Sequence, residues 1–471
     1  MLTTVILAAG QGTRMKSARA KVLHEIAGLP LAAYPIRLAL ALGSDPIVVV
    51  VGHQAAEVEA ALSRRFPGKL RFALQAQQLG TGHAVMEGMK GLGPPQGRVL
   101  ILYGDVPLLS LATVQELGRV MARGGHALVA VTMKMADPTG YGRIVRDSAG
   151  RVERVVEHKD ATPAERAIDE TNAGIYLVDA SFLAASLGKL TNHNAQKEYY
   201  LTDVVAFAAQ DPRGAATVVV QDPMEVMGAN DRAQLAELAA HDRTTRNRAL
   251  MISGVTMVDP AVTYVEPDVV IGKDSSLGPG VHLRGKTTIG ERVRIDAGSI
   301  LIDATVGDDV EIRAHSILEE ARVEHGAIIG PFARLRPGAE VMEEAHVGNF
   351  VELKKARLGK GAKANHLAYL GDATIGAGAN VGAGTITCNY DGYGKYLTEI
   401  GEGVFVGSNS TLVAPIKIGD GAYVAAGSTL TDEVKPSSLA FGRARQTEKL
   451  DRAPALRREA EAKAAEQKKK K

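Results

Sequence analysis

The sequence is short of several things, and each shortage closes off a class of protein. It has one cysteine, Cys388, and no tryptophan among 471 residues. A single thiol cannot form an internal disulfide, so the fold does not depend on an oxidising compartment. No run approaches the roughly 18 apolar residues of a membrane-spanning helix. The opening MLTTVILAAG has no basic n-region and runs straight into a strand-like pattern. Neither membrane insertion nor a signal peptide is therefore expected, and the expected location is cytoplasmic. There is no excess of charge of one sign: 55 Lys and Arg against 53 Asp and Glu leave +2, so nucleic acid and anionic membranes are not expected partners. Aromatics make up only 4%, against 51 glycines. A core without bulky anchors suits repetitive packing of small and branched side chains.

What is present divides the chain. Its length exceeds one hydrophobic core, so at least two domains are expected. Residues 1–228 alternate buried-strand runs (Val5–Leu7, Ile47–Val51, Val99–Leu102) with helix-length segments, the pattern of an α/β, Rossmann-like domain with a mostly parallel sheet. Such sheets bind ligands beyond the carboxyl ends of their strands. Residues 229–250 are rich in helix formers and read as a linker helix, capped by Asn230 or Asp231.

From 251 to 445 an apolar residue recurs every sixth position: Ile271, Leu277, Leu283, Ile289, Ile295, Leu301. After a slip of one come Val306, Ile312 and Leu318; after another, Val323, Ile329, Leu335, Val341, Val347 and Leu353. A last run is Ile400, Val406, Leu412, Ile418, Val424 and Leu430. This hexad repeat predicts a parallel β-helix, with Gly allowing the corner backbone. The segment Tyr390 to Glu399 breaks the phase and should project as a loop. The charged tail, 446–471, reads as a frayed or disordered solvated end.

Two sets of residues carry chemistry. In LAAGQGTRMKS, Gly10 and Gly12 follow the first strand; turns of this kind let backbone amides approach a phosphate. Arg14 and Lys21 add two cations beside the turn, suited to a triphosphate and its leaving pyrophosphate. Asp105, just past the strand VLILYGD, could hold a divalent metal. In the repeat region, His366 is the natural general base, because its ordinary pKa lies near neutrality. Glu352 could orient the imidazole. Arg336 and Lys354 could clamp a sugar phosphate, and Tyr369, Asn380, Asn389 and Tyr390 could hold the sugar. Ser408 and the backbone amide of Ala383 could receive the acetyl oxygen or the thiolate.

LAAGQGTRM followed by KVLHEIAGLP resembles the signature of sugar-1-phosphate nucleotidyltransferases. With the repeat-region cluster in the same chain, about 450 residues resemble the bifunctional N-acetylglucosamine-1-phosphate uridylyltransferase/glucosamine-1-phosphate N-acetyltransferase family. The resemblance implies acetyl transfer from acetyl-CoA to glucosamine 1-phosphate, then UMP transfer from UTP to give UDP-N-acetylglucosamine. It implies Mg²⁺ on Asp105 and Asn230. The nucleotide-sugar contacts it implies are Leu7, Ala8, Ala9, Gly10, Lys21, Gln75, Gly80, Thr81, Tyr103, Gly104, Asp105, Gly140, Glu157, Asn172 and Asn230. For acetyl-CoA it implies Ala383, Asn389, Tyr390, Ser408, Ala426 and Arg443. It also implies a homotrimer of left-handed β-helices with acetyl sites shared between subunits. The chain departs from the family pattern at Ala173, where Thr is expected, and at Asn365, where a smaller residue is usual. An alternative enzyme reading is a monofunctional nucleotidyltransferase with a structural β-helix, which would lack the His366, Lys354 and Tyr369 cluster. A non-catalytic scaffold with decayed sites would not keep Arg14, Lys21 and Asp105.

Overall fold

A computed structural model describes residues 1–93 and 96–469. The chain folds into two compact units, Met1–Leu250 with Tyr264–Pro267, and Met251–Thr263 with Asp268–Lys471.

The first unit is built on a sheet in which Arg98–Tyr103, Leu2–Ala8, Ile47–Val51 and the edge strand Arg71–Leu74 lie side by side, all parallel. The strand Glu170–Asp179 enters antiparallel between Arg98–Tyr103 and Leu128–Lys134. Strand side chains alternate between faces, so Val5 and Leu7 pack on one side, Ile6 and Ala8 on the other. Both faces are covered by helices, which explains the unbroken apolar runs. The carboxyl ends of three parallel strands deliver Gly10, Gln75 and Asp105 to one rim of the sheet. The helix expected at 229–250 spans Arg232–Ile252. Asp231 caps it, its Oδ1 accepting from the amides of Ala233 and Gln234 at 2.9 Å each.

In the second unit the hexads wind into a parallel β-helix. Leu277 pairs with Ile295 and Ile295 with Ile312, so successive coils take eighteen and seventeen residues. Each slip of one in the hexad register shortens a coil by one residue. Leu283, Leu301, Leu318, Leu335 and Leu353 stack inward, fully buried. Each such side chain contributes about 1.5–3 kcal/mol by leaving water. Two residues before the large inward residues, smaller ones such as Thr287, Ser299, Ala304 and Ala333 are buried too. That pairing of large and small accounts for a core with few aromatics. The inward column continues where the hexads of the sequence fell silent, through Leu358, Ala364, Leu370, Ile375 and Val381. Two more five-residue steps and a small inward Ala364 hid it.

The repeat glycines serve in two ways. Gly290 and Gly407 do not have positive φ; a Cβ at either would meet the next coil, 2.7 Å from the Asp308 amide or 2.5 Å from that of Ala426. Other glycines turn left-handed corners as expected, Gly280 (φ 71°) and Gly298 (φ 69°) among them, and so do residues such as Arg292 (φ 55°) and Asp309 (φ 57°). The expected loop is present between Cys388 and Thr398, with Tyr393 98% exposed at its tip. In the tail, expected to be a frayed or disordered end, Arg452–Lys469 forms a helix with no buried residue. Its Ala, Glu, Lys and Arg are strong helix formers, which outweighs its lack of packing.

No helix among the described residues is long and apolar enough to cross a membrane.

Candidate active sites

The first site sits at the carboxyl rim of the sheet. Gly12 adopts φ 61°, and a Cβ there would lie 2.6 Å from the Cβ of Lys21, so glycine lets the two arms of the loop close on each other. Lys21 Nζ then lies 2.5 Å from Asp105 Oδ2 and donates to Asn230 Oδ1 at 3.0 Å. Arg14 donates to the same Asn230 oxygen at 2.9 Å. Because Asp231 takes the helix cap, Asn230 is left for this cluster. Its own amide donates to Gln234 Oε1 at 2.9 Å. Four groups from distant segments thus converge, two cations around two oxygens, in a half-buried rim.

Beside them is a cleft of about 290 Å³ lined by Leu7, Ala8, Ala9, Gly10, Lys21, Gln75, Gly80, Thr81, Tyr103 and Asp105. Sequence reasoning missed Val22, Gln78, Ala84 and Glu198, which also line it. Glu198 arrives because its segment docks on the Gln75–Thr81 loop: Tyr199 N donates to Leu79 O and Gly82 N to Tyr199 O, both at 2.8 Å. Thr81 Oγ1 accepts from Leu201 N at 3.2 Å, while Gly80 takes the helix-cap position. Gly104 lies under the cleft and donates to Leu7 O at 2.9 Å.

Gly140, Glu157 and Asn172 fall outside that lining, and the last two meet at Gly142. Asn172 N donates to Gly142 O at 2.9 Å, and Gly142 packs against Val155 and Glu157. The Asn172 amide shapes a bulge in its own strand, donating to Tyr176 Oη at 2.6 Å and accepting from Gly174 N at 3.1 Å. Glu157 accepts from Thr202 Oγ1 at 3.0 Å. Burial raises its pKa above the usual carboxylate value, with Asp160, Asp203 and Glu198 adding to the rise. Burial, with Glu157 and Asp105 nearby, also holds Tyr103 neutral far above its ordinary value.

A second cavity in this unit, about 510 Å³, is lined by Tyr34, Arg37, His241 and Arg246 among others. Several of its polar groups are already paired, with His241 3.1 Å from Asp222 and Arg246 2.7 Å from Asp242.

The second site lies on the β-helix. Asn349 and His366 occupy matching positions on adjacent coils, and His366 Nδ1 is 2.8 Å from Asn349 Oδ1. Glu352, expected to orient the imidazole, instead accepts from Arg336 at 2.9 Å. The register explains the exchange: Glu352 pairs with Tyr369, in a different sheet from the Asn349–His366 pair. Glu352 in turn raises the Arg336 pKa. An amide oxygen only accepts, so Asn349 holds a proton on Nδ1, and in the neutral ring Nε2 is the atom with the lone pair.

Of the positions named for acetyl-CoA, Ala383, Ser408, Ala426 and Arg443 lie along one corner of the helix. Gly384 N donates to Leu367 O, Asn409 N to Ala383 O and Gly427 N to Ser408 O, tying successive coils there at 2.7–2.9 Å. Ala426 packs over Gly407, and Arg443 lies beside Gly427. The sugar positions cluster elsewhere. The Tyr369 ring lies over Gly371, which has no Cβ to obstruct it. Lys395, missed in the sequence, comes from the projecting loop to stand against Lys354, whose ammonium lowers its pKa. Buried Asn389 donates to Asp372 Oδ2, while Tyr390 is 60% exposed at the loop base. Asn380 lies in the His366 sheet, paired with Lys363 and Phe405. Cys388 is half-buried at the strand end before Asn389. Asn365, beside His366, has a buried Oδ1 with no hydrogen-bond partner among the described residues.

Comparison with known proteins agrees with both halves. Residues 4–253 match the MobA-like NTP transferase domain. Residues 268–303 and 397–432 match the bacterial transferase hexapeptide (six repeats). Those stretches contain eighteen-residue coils such as Leu283 to Leu301 and Leu412 to Leu430. The unmatched stretch between them holds the shortened coils and His366. The chain is 58% identical over 449 residues to the bifunctional protein GlmU of Anaeromyxobacter sp. (strain Fw109-5), covering 95% of this chain and 91% of that protein. Identity is 52% to the bifunctional protein GlmU of Stutzerimonas stutzeri (strain A1501), covering 94% and 97%. It is 50% to that of Trichlorobacter lovleyi, covering 94% and 96%.

Proposed function

The chain belongs to the bifunctional GlmU family, and on that premise we propose how its residues divide two reactions. It is a uridylyltransferase joined to an acetyltransferase, and its product is UDP-N-acetylglucosamine. The observation that carries the division of labour is that each unit holds its own separate cluster of chemistry-bearing groups.

In the first unit, N-acetylglucosamine 1-phosphate attacks the α-phosphorus of UTP and pyrophosphate leaves. A phosphate monoester is anionic at neutral pH and needs no base, so the work is alignment and charge neutralisation. Arg14 and Lys21 neutralise the triphosphate. Gln75, Gly80 and Thr81 hold the uracil, and Gly140, Glu157 and Asn172 hold the sugar. The residues fit Mg²⁺: two hard oxygens, on Asp105 and Asn230, already converge on one cation, the Lys21 ammonium. When bound, Mg²⁺ would supply charge neutralisation on the phosphates.

In the second unit, the amine of glucosamine 1-phosphate attacks the thioester carbonyl of acetyl-CoA. His366 Nε2 takes the amine proton as the C–N bond forms, and coenzyme A leaves as the thiolate. Arg336, Lys354 and Lys395 hold the phosphate; Tyr369, Asn380, Asn389 and Tyr390 hold the sugar. Ala383, Ser408, Ala426 and Arg443 line the path of coenzyme A.

We further propose a homotrimer of left-handed β-helices with shared acetyl sites. Supporting this, His315, Phe332 and Phe350 stack along one corner, with ring centroids 5.2 and 5.4 Å apart, and Leu367 is exposed at the same corner. An apolar ladder beside the base is a natural seat for a second copy. Sedimentation of the intact protein tests it; a monomer at micromolar concentration rejects it.

The decisive activity test is mass spectrometry of product with glucosamine 1-phosphate, acetyl-CoA, UTP and Mg²⁺, omitting one at a time. UDP-N-acetylglucosamine should require all four. Product formed only from pre-acetylated sugar phosphate would leave the β-helix a scaffold.

A further inference from the structure

Gln75 lies at the carboxyl end of the strand Arg71–Leu74 and is only 3% exposed, yet it lines the nucleotide cleft. Its Nε2 donates to Gly80 O at 3.0 Å and lies 3.1 Å from His83 Nδ1. The Gly80 carbonyl can only accept, so the amide must turn its NH₂ group toward it. Both hydrogens of that group are then used, one by Gly80 O and one by His83 Nδ1, which must be unprotonated. The ring proton of His83 therefore sits on Nε2, 3.1 Å from Glu87 Oε1 on the next turn of the helix Thr81–Met89. Glu87 is also held by Lys90 at 2.6 Å. Among the described residues no group is bonded to Gln75 Oε1. A buried amide is thus locked with its acceptor unspent.

We propose that His83, backed by Glu87, is a positioning residue for base selection: it locks the Gln75 amide so that Oε1 faces the base and accepts uracil N3–H. The inference rests on the uridylyl-transfer reading and deepens it. Cytosine carries a lone pair at N3, so the same oxygen repels it. A site that spends a buried polar group on one hydrogen-bond pattern rejects the base lacking it far more strongly than shape alone would. Neither His83 nor Glu87 needs to touch the nucleotide. Without His83 only the bond to Gly80 O is left to hold the amide, so it rotates more readily to offer NH₂ to cytosine N3, and selectivity falls.

The test is kcat/KM for UTP and for CTP, with N-acetylglucosamine 1-phosphate as acceptor, in wild type, His83→Ala, His83→Asn and Glu87→Ala. Acetyl transfer is measured in each as a control for folding. In His83→Ala the UTP-to-CTP ratio should fall about tenfold or more, the worth of one lost oriented hydrogen bond. The KM for the sugar phosphate should stay unchanged. His83→Asn, whose amide oxygen can accept from Gln75, should restore part of the ratio. Glu87→Ala releases the His83 tautomer and should give a smaller fall. Equal losses for UTP and CTP in His83→Ala, leaving the ratio intact, would overturn the inference, as would an unchanged ratio in all variants. If wild type does not use UTP, the uridylyl-transfer reading itself fails; if wild type selects UTP and the variants still do, only this inference fails.

Discussion

The two sites gather their residues by opposite means. At the sheet rim, Arg14, Lys21, Asp105 and Asn230 come from segments more than two hundred residues apart and meet within about a hydrogen bond's length. On the β-helix, partners are one coil apart: Asn349 with His366, Arg336 with Glu352 and Tyr369 over Gly371. The first arrangement is half-buried except for Arg14, with Lys21 paired to Asp105 and one cation in excess. The second is more open, with His366 and Tyr390 exposed and two lysine ammoniums left facing each other. A sheet rim thus suits a reaction that must surround a triphosphate with fixed charge. A repetitive surface suits one in which long substrates lie along successive coils.

The sharpest break of this comparison is Asp105→Ala. It removes one oxygen of the rim cluster and leaves the Lys21 ammonium without its carboxylate, so uridylyl transfer should fall ~10³-fold. Acetyl transfer should be untouched; comparable loss of both in folded protein would contradict independent sites. His366→Ala is the reciprocal experiment, lowering acetyl transfer ~10²–10⁴-fold while uridylyl transfer holds. Unchanged acetylation removes His366 from the mechanism.

Effects on packing come next. Leu335 is fully buried in the β-helix, and Leu335→Ala should cost ~2–5 kcal/mol in calorimetry while uridylyl transfer below the transition persists. Asn349→Ala frees the imidazole tautomer without removing the base. Acetyl transfer should drop about tenfold, the worth of one hydrogen bond of roughly 1.4 kcal/mol, and its pH profile should shift. A loss as large as that of His366→Ala would mean Asn349 touches substrate.

The smallest effect concerns Glu157. Burial raises its folded pKa above the ordinary 4.5, so the folded state holds the proton more tightly than the unfolded chain. Its contribution to stability is full below pH 4.5 and is lost as pH rises through the folded value. Melting curves of wild type and Glu157→Gln should diverge across that window and run parallel above it. Parallel curves throughout would show that the carboxyl is not perturbed.

The sequence by itself determined the class of both folds. Unbroken branched runs specify strands covered on both faces, and spacing of six specifies a coil of three short strands, because only inward positions must be apolar. It also located the chemistry, since glycine loops, cations and an isolated histidine cluster stand out against a repetitive background. What only tertiary structure decided was who partners whom. Asn230 or Asp231 were equal as helix caps until the fold gave the cap to Asp231 and Asn230 to the cations. Glu352 was the natural partner of His366 until the coil register set Asn349 there and turned Glu352 toward Arg336. The inward column from Leu358 to Val381 hid behind five-residue steps, and Lys395 and Glu198 reached their sites on loops of no recognisable period. Periodicity is local and a chain carries it openly. Partner choice depends on the residue count of each coil and the docking of distant loops, which exist only once the backbone has closed.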